Sequence, residues 1–179
     1  EIKDLDTLFG WKYSEAINPV NPLKGRAKEP IIEDIELLQR SIEIWDKVEG
    51  SVTDSLLRNL GGYTWFGSVR ANVWHNIGSI VYGKVWDNTY VDLKDYDDSV
   101  ADSWKGNYVW RSACANVWAY AGSLFPGIKR WKYIKHKEGE YPFQPIVDLW
   151  HRGFVVSFDG NTWRLHSGKN AKIVYKERI

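Results

Sequence analysis

Apolar positions along this chain fall into three regimes. From Pro30 to Leu60 they recur at helical spacing: Ile31, Ile35, Leu38, Ile42, Trp45 and Val48 keep i, i+3/i+4 steps and mark one face of an amphipathic helix. Pro30 suits a first-turn position, and Glu33, Asp34 and Glu36 complement the positive end of the helix. Gly50 ends it, and Val52 to Leu60 reads as a second, short helix closing at Gly61-Gly62. Further on, Val69, Val73, Ile77, Val81 and Val85 recur every fourth residue. That period fits a helix with a slowly rotating stripe, and it also fits a strand. The uninterrupted run is long for a strand, which predicts helices near 66–86 and 99–124. The third regime is C-terminal. Pro142 to Trp150 predicts a short helix ending at Gly153; Phe154–Phe158 and Asn161–His166 predict a hairpin about a type I′ turn at Asp159-Gly160. Ser167–Asn170 reads as another turn and Ala171–Tyr175 as a third strand.

Residues 63–131 look duplicated. Ala71–Ile80 and Ala115–Leu124 share six of ten positions, the Ala-Asn-Val-Trp block and the Gly-Ser pair. Tyr63-x-Trp65 answers Tyr108-x-Trp110 upstream, and Lys84-x-Trp86 answers Lys129-x-Trp131 downstream. Such self-similarity predicts two copies of one supersecondary unit in a common core. Ser-Val-Arg-Ala, Asn-Val-Trp-His and Lys-Val-Trp-Asp resemble the degenerate Ser-Val-Trp/Arg tetrapeptides of a group of bacterial and phage proteins. Tyr141–Trp150 and Ser157–His166 are similar to the tail of some of them, so the resemblance spans 65–179. That group carries no established activity; the resemblance implies a bacterial or phage origin and assigns no functional residue.

The expected fold is α+β in a single domain over 1–179. An irregular N-terminal arm covers 1–28, anchored by Leu5, Leu8, Phe9, Trp11 and Tyr13. Amphipathic helices cover 30–60, the duplicated Trp-rich unit 63–131, and a basic segment, short helix and antiparallel sheet 128–179. Length and composition suit a globular chain with a real core. Lys and Arg total 24 against 23 Asp and Glu, so net charge gives no global argument for nucleic acid or membrane. The lone Cys114 reads as a small buried residue, which suits a reducing, cytoplasmic compartment. No apolar run is long enough for a bilayer and no signal peptide is read; a chain opening on Glu1 without methionine reads as trimmed or processed.

Candidate chemistry is sparse. P-loop, dinucleotide, zinc-protease and nucleophile-elbow motifs are missing, so no cofactor and no metal is expected. The acidic stretch Asp87–Asp102 fails the calcium-loop pattern, with Val100 at the glycine position, and reads as a solvated loop capping the next helix through Asp98 or Ser99. Lys24, Arg26 and Lys28 make a small basic spot in the N-terminal arm, read as a solvated loop. The stretch that looks most functional is Ile128–Lys137, where Lys129, Arg130, Trp131, Lys132, Tyr133 and Lys135 interleave cations with aromatics. Cations pair with phosphates and aromatic faces stack on bases. As a strand it would present Arg130, Lys132 and Ile134 on one side and Trp131, Tyr133 and Lys135 on the other, and it also reads as a lysine-guarded edge strand. The repeated Asn72/Asn116 and Trp74/Trp118 are candidates for a shared cleft, or for the packing of the two copies. Asp148, His151, Asp159 and His166 are the catalytic candidates, since a histidine beside a carboxylate can act as a general base. The leading expectation is a non-enzymatic recognition or assembly module, with a protein partner or self-association. The alternatives are a nucleic-acid-binding protein using 129–137 and a small hydrolase or nuclease using the C-terminal Asp and His residues.

Overall fold

The computed structural model describes residues 12–48, 52–62, 64–94, 104–132 and 134–179. It is α+β: helices α1 (Tyr13–Ile17), α2 (Ile32–Lys47), α3 (Val52–Leu60), α4 (Thr64–Val73), α5 (Ser79–Lys94), α6 (Trp104–Ser123) and α7 (Gln144–His151) precede strands β1 (Phe154–Phe158), β2 (Thr162–Ser167) and β3 (Lys172–Arg178). A π-helical turn, Trp74–Gly78, joins α4 to α5 without a break. The strands form an antiparallel sheet in the order β1-β2-β3.

The four-residue period is explained by that π turn. In an uninterrupted α-helix a stripe of every fourth residue rotates about 40° per step and leaves the core face within a few turns. The wider π turn takes up part of this drift. Val69, Val73, Ile77, Val81 and Val85 are accordingly all buried. Gly78 closes the turn against α6: a Cβ there would stand 2.8 Å from both Trp74 Cε3 and Val117 Cγ1.

Helix α6 is the centre of the molecule, packed against α3, α4, α5, α7 and β1. Its small residues, Ser112, Ala113, Cys114, Ala115, Ala119, Ala121 and Gly122, let neighbours approach from every side. From Ser112 to Gly122 only Trp118 keeps appreciable exposure. Burial pushes the Cys114 thiol up to about 11, as fits a packed, unreactive sulfur. Beneath the sheet a second apolar cluster joins Leu38 and Leu149 to Phe154, Val156, Trp163 and Leu165. There Trp163 stacks on Phe158 at 4.2 Å and meets the edge of Trp45 at 5.2 Å.

The contact between α6 and β1 is polar and buried. Strand β1 is a sheet edge, so alternate backbone groups face away from β2. Asn116 takes two of them: its Nδ2 donates to Val156 O at 2.7 Å and its Oδ1 accepts from Val156 N at 3.2 Å. One helical turn earlier, Ser112 Oγ accepts from Phe158 N at 2.9 Å. Four residues of helix rise about 6 Å and two residues of strand about 6.7 Å, so the i, i+4 pair matches the i, i+2 pair. The edge is thereby closed to other strands.

Several expectations change. The helix expected to end at 86 runs to Lys94, because Asp92 is drawn onto the sheet by Arg164 (Nη2–Oδ2 2.7 Å) and Lys176 (Nζ–Oδ1 3.0 Å). The stretch from Asp87 to Lys94 is thus helix rather than loop; 95–103, including Asp98 and Ser99, lie outside the described residues. The arm expected to be irregular contains α1, and Tyr13 is 42% exposed, while Ala16, Pro22 and Leu23 are the described residues it buries. Leu5, Leu8, Phe9, Trp11, Gly50 and Tyr63 also lie outside the described residues. Pro30 precedes α2, whose first turn is capped by Asp34 Oδ2 accepting from Ile31 N at 2.8 Å. The hairpin turn is not type I′, which needs two successive residues of positive φ. Only Gly160 has it (φ 99°), and Asp159 Oδ1 holds the turn by accepting from Asn161 N and Thr162 N at 2.8 and 2.9 Å. The third strand runs from Lys172 to Arg178, not Ala171 to Tyr175.

Candidate functional site

No described residue of the basic segment lies in a strand. After α6 the chain turns at Pro126-Gly127 and crosses the surface without regular structure among its described residues, its backbone held at Trp131, Lys132 and Lys137. Asn59 of α3 clamps Lys132 at both ends: Lys132 N donates to Asn59 Oδ1 at 2.7 Å, and Asn59 Nδ2 donates to Lys132 O at 3.1 Å. His136 closes the loop on itself, its Nε2 accepting from Trp131 N at 3.0 Å and its Nδ1 facing Lys137 O at 2.8 Å. Glu140 Oε2 accepts from Lys137 N at 3.1 Å. These bonds satisfy backbone groups that a strand ladder would otherwise take; Arg130 and Lys132 face out on either side of the buried Trp131, but Ile134 is half-buried and Lys135 exposed, the reverse of the expected alternation.

Trp131 points inward, 4% exposed, edge-on to Tyr141 and Phe143 at 5.2 and 5.9 Å. It is an anchor for the loop rather than a stacking platform. Tyr133 lies outside the described residues. Lys129, Arg130, Lys132, Lys135 and Lys137 are exposed, and among the described residues none of them forms an ion pair.

Each end of the segment opens on a cleft. The first, about 240 Å³, is lined by Lys129 together with Lys12, Ser123, Tyr141, Gln144 and His151. The second, about 440 Å³, sets Lys135 and Lys137 against Arg40 and Lys47 of α2, with Glu43 and Glu140 also on its wall. Lys12, Arg40, Lys47 and Gln144 carried no signal in the sequence, because their relation to 129–137 exists only after α2 and α7 have packed.

The catalytic candidates do not assemble. His151 Nδ1 donates to Val147 O at 3.0 Å, leaving Nε2 at 3.9 Å from Glu15 Oε2. Tyr120 also donates to that Glu15 oxygen, at 2.8 Å, while it accepts from Val20 N. Burial pushes the Tyr120 phenol well above its ordinary range, so it remains a donor. Asp148 accepts from Gln144 Nε2 at 2.8 Å and makes no bond to His151. Asp159 is paired at 2.6 Å with the buried Arg164 as well as holding the turn. His166 is fully buried; burial lowers its pKa to about 4, so it is neutral at pH 7.

Ser157, which the sequence did not single out, lies 2.7 Å from His166 Nε2. The pair resembles a nucleophile and its base. Both are 0% exposed and His166 Nδ1 donates to Ala171 O at 3.0 Å, so this is a packed structural bond. The hairpin register makes the two diagonal neighbours, with Ser157 opposite Arg164 and Val155 opposite His166.

Each amide and tryptophan of the repeated block has its own neighbours. Asn72 Nδ2 donates to Ala16 O at 2.6 Å, tying α4 to α1, whereas Asn116 is 1% exposed and ties α6 to β1. Trp74 packs on Tyr82 at 6.3 Å, and Trp118 lies beside Phe66 with the Arg70 guanidinium 4.1 Å above its ring. No protein family, no characterised protein and no solved structure is matched by this chain. Among the described residues no helix is long and apolar enough to cross a membrane.

Proposed function

We propose that this chain is a non-enzymatic recognition module for a polyanion, with nucleic acid as the partner its chemistry fits and the 129–137 loop as the contact surface. One observation carries the reading: five exposed cations project from a loop whose backbone is held at Trp131, Lys132 and Lys137, and none is neutralised by a carboxylate among the described residues. Arg152, Arg164 and Lys176, by contrast, are engaged with Asp34, Asp92 and Asp159. A loop ordered before its partner arrives loses little entropy on binding. With Trp131 in the core, the affinity comes from phosphate contacts, so binding is tolerant of sequence.

The test is a titration of labelled single-stranded DNA and RNA, read by fluorescence anisotropy. The variant Lys129→Ala/Arg130→Ala/Lys132→Ala leaves the Asn59 clamp intact, since that clamp uses the Lys132 backbone. Loss of three phosphate contacts weakens binding by roughly tenfold or more at low salt. Equal binding by the variant, or no binding by the wild type at low salt, removes the reading.

A further inference from the structure

A second concentration of cations forms where the small basic spot Lys24, Arg26 and Lys28, read from the sequence as a solvated loop, meets a distant turn. The loop carrying Lys24, Arg26 and Lys28 faces the turn between β2 and β3 across a cleft of about 370 Å³, lined by Arg26, Ser167, Lys169, Asn170 and Lys172. Its walls are locked together by backbone. Lys28 N donates to Ser167 Oγ at 3.0 Å across 139 residues of sequence, and Lys169 N donates to Gly25 O at 2.9 Å. Gly168 has φ +79°, and a Cβ there would sit 2.5 Å from Ala27 N, so only glycine lets the two loops touch. Asn88 of α5 braces the turn from behind, donating to Asn170 O at 2.6 Å.

The chemistry of the lining is one-sided. No carboxylate lines this cleft. Arg26, Lys169 and Lys172 are exposed and have no ion pair among the described residues. The Ser167 hydroxyl is 1% exposed; it accepts from Lys28 N, and no described residue accepts its proton. The Gly25 and Asn170 carbonyls each already accept a hydrogen bond from within the fold. What remains is a set of donors and positive charges around a space of the size that holds small ligands. Guanidinium and ammonium groups with a hydroxyl donor match the oxygens of a tetrahedral dianion.

We propose that this cleft binds a phosphate group, free or carried as a monoester by a small ligand. Arg26 and Lys169 supply the charge from opposite walls, with Lys172 and the Ser167 hydroxyl beside them. The site is separate from the 129–137 loop and does not depend on the polyanion reading.

Isothermal titration of the full chain with inorganic phosphate and with adenosine 5′-monophosphate, at constant ionic strength in chloride, tests it. Saturable binding of either probe is expected, weakened about tenfold or more by Arg26→Gln/Lys169→Gln, which removes two charge-assisted contacts. Tighter binding of the ester points to a ligand with a body beyond the phosphate, and equal binding points to phosphate itself. Both replaced side chains are exposed and unpaired, so the variant should keep the wild-type circular dichroism and melting temperature. The Lys129→Ala/Arg130→Ala/Lys132→Ala variant should bind both probes as the wild type does. Absence of saturable binding by both probes, or equal affinity in the Arg26→Gln/Lys169→Gln variant, overturns the proposal.

Discussion

Asn72 and Asn116 occupy matched places in the repeated block, yet their substitution should have unequal consequences. Asn116→Ala removes the two bonds to Val156 and the Nδ2 bond to Ser112 O, leaving the Val156 N–H and C=O facing α6 with no partner. Each stranded buried group costs about 1–3 kcal/mol, so the substitution should destabilise the fold by about 2–6 kcal/mol. Asn72→Ala loses a half-buried bond to Ala16 O and a partner for Asn76, a loss of about 1 kcal/mol. Urea denaturation at pH 7, followed by circular dichroism, measures both; the midpoint should move with the slope unchanged. If the two residues instead lined a common ligand cleft, both variants would stay stable and lose binding together. A cost below about 1 kcal/mol for Asn116→Ala would refute the edge-capping argument.

Other expectations follow from the buried charges. Arg164→Met leaves Asp159 buried without its counter-ion and should cost about 3–5 kcal/mol, whereas Lys176→Met, at an ion pair open to water, should cost less than about 1 kcal/mol; both are read by urea denaturation. The His166 ring is neutral when folded, with a pKa of about 4 caused chiefly by burial, while in the unfolded chain it takes up a proton below about 6.5. Between those values the unfolded state binds more protons, so stability falls as pH drops from about 6.5 to about 4, by about 3 kcal/mol in all. Neighbouring Asp92 acts in a lower window. Burial opposes its charge, but its bonds to Lys176 and Arg164 hold its pKa below 3.8. Denaturation midpoints from pH 7 to 4.5 should therefore shift less in His166→Gln than in the wild type, and parallel shifts would contradict the assignment.

The features that were legible in the sequence are those set by local periodicity. The helix of α2 and the paired runs around Asp159-Gly160 needed only apolar spacing, and both elements formed near where expected, although Ile31 is 53% exposed and the turn is not type I′. The four-residue stripe gave a helix, but the π turn that keeps the stripe facing inward depends on Gly78 meeting Val117 of a distant helix. The extension of α5 to Lys94 depends on Arg164 and Lys176, which lie far along the chain. The basic segment misled because it alternates only around Trp131, with Arg130 and Lys132 out; past them Ile134 is half-buried and Lys135 exposed, and Asn59 and His136 take backbone bonds that a neighbouring strand would have made. Two of the catalytic candidates chosen by residue type have internal partners that the sequence did not show. Asp159 and His166 had to be satisfied inside the fold, and Arg164, Ser157 and Ala171 do so.

The most direct test of the polyanion reading is the salt dependence of single-stranded nucleic-acid binding. With three to five of the cations Lys129, Arg130, Lys132, Lys135 and Lys137 on phosphates, log Kobs against log salt should fall with a slope of roughly −2 to −3.5. The Lys129→Ala/Arg130→Ala/Lys132→Ala variant should lose about two units of that slope. A slope near zero, or a wild-type slope retained by the variant, would contradict the assignment of this loop as the contact surface.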